Sequence, residues 1–146
     1  MAIEIVPVLL LPTMDASRFE RCTFALEERK ATMTIYMREL EPFVVFFGRL
    51  CWHRVTPFEQ CNSILTEGCH LAVAEIKGSP ALKAHVTKYQ LPEKDAQSLH
   101  HYRIFLGAGG VHEAFAASAS LNWVDALKGW GRVKSMFRPI ARVGDR

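Results

Sequence analysis

Apolar and polar positions alternate with a period of two along several stretches of this chain, the spacing of half-buried β-strands. In "RFERCTFAL" the alternation runs from Phe19 to Phe24, and in "KATMTIYMR" it sets Met33, Ile35 and Met37 against Thr32, Thr34 and Tyr36. The charged link "EERK" between them predicts a hairpin. "IEIVPVLL" (3–10) reads as a strand that Pro7 confines to a sheet edge or a bulge, because proline has no N–H to give a ladder. From Phe43 to Phe47 the run is continuously apolar, which predicts a central strand buried on both faces. Gly48 then marks a bulge or a close approach. "CHLAVAEIKG" supplies a short strand, and "HHYRIFLGAGGVHEAFA" (100–116) two more, joined by "GAGG".

Helical signals are fewer. "TPFEQCNSILTEG" offers Thr56 as an N-cap, Pro57 at the first helical position, Glu59 as a capping-box acid and Gly68 as the stop. In "SPALKAHVTKY" Ser79 caps and Pro80 opens a second helix, with Leu82, His85, Val86 and Tyr89 along one side. "LPEKDAQS" reads as a polar loop, and "NWVDALKGWGRVKSMF" carries helical periodicity near the end of the chain. Strands outnumber helices and are joined by short turns. The pattern therefore predicts an α+β fold: one domain over residues 1–146, its mainly antiparallel sheet covered on one face by two or three helices. Residues 138–146 read as a basic tail that frays.

Composition narrows the function classes. A chain of 146 residues, 49% hydrophobic and 23% charged, buries roughly 70% of its unfolded surface and needs no covalent staple. The net charge of +3 is uneven: from Lys128 onward six basic residues face Asp145 alone, while the rest of the chain is slightly acidic. A nucleic-acid interface would place a broader basic face, interleaved with aromatics, in the body of the domain. The start "MAIEIVPVLLLP" has no basic n-region and carries Glu4 inside its apolar run, so it reads neither as a signal peptide nor as a membrane span. A cytoplasmic chain is expected, with Cys22, Cys51, Cys61 and Cys69 reduced and mostly buried. No C-x-x-C pair suggests structural zinc.

The stretch 100–116 concentrates the polar chemistry. "GAGGVH" has His112 where a dinucleotide fingerprint needs its third glycine, and no helix follows to receive a pyrophosphate. On the first strand His101, Arg103 and Phe105 share a face, while His100 points to the other. His101 and either His112 or Glu113 give two metal ligands, fewer than a stable site requires. Cys69 and His70 point to opposite faces; Cys51 and His53 share one and form the best thiol–imidazole pair, without an oxyanion donor or orienting group. The plainer account is an exposed hairpin in which Glu113 pairs with His101 or Arg103 across the strands. Such a surface of Arg, His, Glu and aromatics also suits a protein interface. In the tail, Trp123, Leu127, Trp130 and Phe137 alternate with basic residues as a weak amphipathic segment.

The succession "FVVFFGRLCWHRVT", "VAEIKGSPAL" and "HHYRIFLGAGGVHEAFA" resembles a loosely defined class of short uncharacterised bacterial proteins. In that class a strand ends in an Arg-containing turn, a Ser-initiated segment follows, and a late hairpin reads H-Y-R with an E-[AV]-x-A return. The resemblance implies no activity, but some members look like immunity partners of bacterial toxins. The leading expectation is thus a non-enzymatic protein-binding module of the toxin-neutralising kind. Its contacts would be His101, Arg103 and Glu113, with Trp130 as an outlying anchor; no cofactor, metal, nucleic acid or stable membrane anchor is implied. The alternative is a small enzyme or ligand-binding domain with a pocket between sheet and helices, drawing on Cys51, His53 or His85. A homodimer through the apolar "IEIVPVLL" edge is a third arrangement.

Overall fold

The hairpin written into residues 19–37 is present in the computed structural model, which describes residues 2–11 and 15–123. It joins β2 (Phe19–Glu27) to β3 (Lys30–Met37), and β4 (Phe43–Gly48) and β9 (Ser118–Trp123) complete a sheet of order β2-β3-β4-β9. A second sheet has the order β1-β6-β7-β8-β5, from β1 (Glu4–Leu10), β5 (Trp52–Thr56), β6 (Ala72–Lys77), β7 (His100–Phe105) and β8 (Val111–Ala116). All strand pairs are antiparallel. The strands thus divide between two sheets where their pattern suggested one. β1 lies at an edge with a register shift between Pro7 and Leu9, the position a strand proline requires.

The two sheets are joined by strands that turn a corner from one to the other. β4 leaves its sheet after Gly48 and continues as β5, and β8 passes through Ala117 into β9. The corners remain bonded: the Ala117 N–H donates to the Gly48 carbonyl and the Cys51 N–H to the Phe115 carbonyl, each at 2.8 Å. Gly48 lies opposite Ser118, and a Cβ there would come within 2.6 Å of Ser118 Oγ. The close approach expected of this glycine is what lets the corners meet. The apolar run from Phe43 to Phe47 lies wholly in β4, and the chain beyond the corner forms the separate strand β5. β4 buries Phe43, Val45 and Phe47 but leaves Phe46 39% exposed, so it is covered on one face and not on both.

Between the sheets, Met33, Ile35 and Val45 from one side pack with Val73, Tyr102 and Ile104 from the other in a single hydrophobic cluster. Each such side chain contributes about 1.5–3 kcal/mol on burial. The helices are short. Where a helix from Pro57 was expected, Thr56 is still paired with Val111 as the last residue of β5, and a single 3-10 turn follows (Phe58–Gln60). The cap passes to Asn62, whose side chain accepts from the Leu65 N–H at the start of α1 (Ser63–Thr66). α2 (Pro80–Lys88) begins as predicted, with Ser79 capping and Pro80 first. The polar segment after Leu91 forms α3 (Glu93–Ser98), with Glu93 and Asp95 favouring the positive end of its dipole. Trp130 and residues 138–146 lie outside the described residues.

Candidate ligand cleft

Strand pairing alone sets a carboxylate between two guanidinium groups. Arg103 of β7 lies directly opposite Glu113 of β8, and Arg54 of β5 lies opposite Glu113 on its other side. Arg54 Nη2 donates to Oε1 at 2.9 Å, and Arg103 Nε donates to Oε2 at 3.1 Å. His101 Nε2, one pleat along β7, meets the same Oε2 at 2.9 Å. The pairing of Glu113 with both His101 and Arg103 follows the cross-strand expectation, but its setting does not. Glu113 is 2% exposed and His101 3%, because β7 and β8 are internal strands and β8 is buried on both faces. The expected exposed polar hairpin is corrected accordingly. These two side chains are almost wholly enclosed by the chain itself.

Burial by itself pushes the Glu113 carboxyl up. The hydrogen bonds from His101 and Arg54, and the charges of Arg103 and His101, outweigh it and hold the group at about 2. An ionised carboxylate only accepts, so the His101 nitrogen facing it, Nε2, carries a proton, and in the neutral form of the ring Nδ1 is the acceptor. Ser79 Oγ sits 2.7 Å from that nitrogen and accepts from the Leu82 N–H at 3.0 Å. Every donor in the chain Leu82–Ser79–His101–Glu113 then has an acceptor.

A cleft of about 750 Å³ opens over this network. Ser79, His101 and Arg103 form its floor, Ile3, Ile5, Ile64 and Ile76 its apolar wall, and Glu4 and Glu67 also border it. Gly68 shapes the wall: its φ of +75° turns the chain after α1 down onto β1, where a Cβ would come within 2.7 Å of Ile5 Cγ2. Arg103 spans the floor, with Nε on Glu113 and Nη1 reaching the Ile64 carbonyl at 3.5 Å.

Cys51, His53 and His85 have separate surroundings. Cys51 Sγ accepts from Arg29 Nη2 at 3.4 Å and borders a separate 120 Å³ cavity with Arg49 and Asp95. His53, on β5, faces the β2-β3-β4-β9 sheet, its ring stacked on that of Phe24 at 3.8 Å. His85, on α2, sets its ring 5.0 Å from that of Phe115. His112 lies behind Glu113 with its ring 5.9 Å from His53, and its Nε2 bonds the Gly109 carbonyl. Burial, with the neighbouring His53, pushes His112 down to about 4. His112 Nδ1 and His53 Nε2 are buried without a hydrogen-bond partner.

All four cysteines are free, but only Cys69 is fully buried, whereas the composition suggested that most would be. Burial pushes both the Cys22 and Cys69 thiols up to about 11. Among the described residues no three His, Cys, Asp or Glu side chains are grouped to hold a metal ion, and no helix is long and apolar enough to cross a membrane.

Two residues of the network escaped the sequence analysis. Arg54 was visible only as a polar position in an alternating strand, and Ser79 only as a helix cap. No signal in the chain ties Ser79 to His101, which lies 22 residues further on. No protein-family model, no curated protein and no solved structure matches this chain.

Proposed function

We propose that the chain is a ligand-binding domain whose cleft, between strands β1, β6 and β7 and the segments α1 and α2, takes a small aliphatic molecule with an acceptor head. The observation that carries this reading is the juxtaposition of a buried, fully bonded polar floor with a wall of isoleucines. Ile64 is 74% exposed and Ile3 53%, apolar surface that a ligand would cover. The cleft lies within the roughly 300–1,000 Å³ of small-molecule sites, and a few convergent polar groups in an apolar pocket are their usual composition. Arg103 is the cation among the lining residues, and its guanidinium N–H groups suit the acceptor oxygen of a carbonyl or a single carboxylate. Glu4 and Glu67 at the border oppose a second negative charge on the ligand.

Straight-chain carboxylates from butanoate to octanoate test the reading by calorimetric titration. Affinity is expected to rise about fourfold per added methylene until the cleft is filled, following about 0.8 kcal/mol per buried CH₂. Arg103→Met should weaken the whole series, and Ile64→Glu the longer chains most. Absence of saturable binding by any member would overturn the reading.

A second reading, a protein-binding module of the toxin-neutralising kind, draws on Phe58 and Ile64, both exposed and next to the half-exposed Arg54 strand. Its contact set would be these residues and not the buried His101 and Glu113. Native mass spectrometry of the gently purified protein separates the two: a stoichiometric protein partner favours this module, and a small added mass favours the cleft.

A further inference from the structure

We propose that Ser79 is a nucleophile activated by His101, and that the cleft cleaves esters of short aliphatic acids. This rests on the ligand-binding reading of the same cleft. A nucleophile, a base within hydrogen-bond reach of it, and a third group orienting the base are the arrangement that activates a serine hydroxyl. Ser79 Oγ, His101 and Glu113 meet all these conditions, at 2.7 Å and 2.9 Å. The directions agree as well. Glu113 holds the His101 proton on Nε2, so Nδ1 faces the serine as an acceptor and the hydroxyl proton points at it. Capping α2 needs only an acceptor oxygen, which Asn or Asp would supply equally. The bond from the hydroxyl to an imidazole has no part in the cap.

The cleft also holds donors for a developing oxyanion. Arg103 borders the cleft, and of its five N–H donors those on Nε and Nη1 are engaged, with Glu113 and the Ile64 carbonyl. Pro80 follows the serine and has no N–H. The next backbone donor is Ala81, at the second position of α2, where no carbonyl of the helix can accept it, and Ala81 borders the cleft. In the reaction, Ser79 Oγ bonds to the ester carbonyl carbon as its proton passes to His101 Nδ1, and the carbonyl pair moves onto oxygen beside Arg103 and Ala81. Collapse breaks the bond to the leaving alkoxide, which takes the proton from Nδ1 and departs as the alcohol. Water then attacks the acyl-serine, giving its proton to Nδ1 and from there to Oγ, and the acid is released. The positive charge His101 carries between these transfers lies against the Glu113 carboxylate.

The test uses the intact chain, the ethyl ester of hexylfluorophosphonic acid, and the unreactive hexylphosphonate monoester as a control for binding alone. Intact-mass and peptide mapping should show one phosphonyl adduct, on Ser79. The Ser79→Asn variant keeps a capping oxygen, so it should melt close to the parent while losing the adduct. His101→Gln should slow labelling roughly 10²–10⁴-fold, the usual contribution of a general base. If Ser79→Asn does not fold, the adduct position in the parent chain decides. No adduct, or one elsewhere, overturns the proposal. The monoester raising the melting temperature without any adduct overturns the proposal alone, and no response to either compound overturns the ligand-binding reading with it.

Discussion

Strand β8 buries two titratable neighbours, His112 and Glu113, on opposite faces, and the structure treats them in opposite ways. On the outer face Glu113 is fully enclosed, yet it takes hydrogen bonds from Arg54, Arg103 and His101 and stays ionised. On the inner face His112 has one bond, to the Gly109 carbonyl, and a second ring nitrogen with no partner. The low dielectric that strengthens a completed network makes an incomplete one costly. Burial alone would neutralise both groups. Only the one given three donors by strand register and a helix cap escapes that outcome.

The largest break in this contrast comes from Glu113→Ala, which leaves two guanidinium groups and an imidazole facing a vacancy. The loss expected at neutral pH is about 3–5 kcal/mol, the penalty for removing one partner of a buried ionic network. Urea midpoints compared with the parent chain measure it.

Acid sharpens the contrast, because the two faces fail in different pH windows. The folded pKa of Glu113, about 2, lies below its ordinary 4.5. Its contribution is complete above about pH 4.5 and is lost as pH falls through about 2, on the order of 3 kcal/mol in all. His112 is also depressed, from 6.5 to about 4. Above about 6.5 it is neutral in both states and has no pH effect. As pH falls from there towards 4 the unfolded chain binds a proton that the folded chain refuses, and stability drops by a similar amount. His112→Phe should therefore flatten the upper window and leave the lower one in place. A parent-like slope between about pH 6.5 and 4 in that variant would remove His112 as the cause.

Smaller effects test how the outer network is shared. Arg54→Met strips Oε1 of its donor while Oε2 keeps two, so a loss of roughly 2 kcal/mol is expected, the range of a hydrogen bond to a charged group. Ser79→Ala should lower stability by about 1 kcal/mol, the value of an N-cap, and Ser79→Asn by a few tenths at most. A loss with Ser79→Asn as large as that with Ser79→Ala would show that the hydrogen bond to His101, and not the cap, holds α2 in place.

Much of this could be read along the chain, because it depends on neighbours in sequence. The β2–β3 alternation needs only a period of two, Pro7 marks an edge because it lacks an N–H, and Ser79-Pro80 opens a helix through its own first turn. The shared face of His101 and Arg103 follows from the pleat of one strand. Other features depended on pairing at a distance. Thr56 could not cap a helix because Val111 holds it in a ladder, and the chain turns from one sheet to the other after Gly48, where the corner bonds to Ala117.

The sequence by itself determined that His101 and Arg103 would stand on one side of a strand, since alternation in an extended chain leaves no other choice; the hairpin register then set Glu113, and not His112, beside them. Only the tertiary structure decided that this side would be covered as well as the other. β5, β6 and α2 close around it, bringing Arg54 and Ser79 from distant parts of the chain. A period of two separates two faces but carries no information about which of them the rest of the chain will cover.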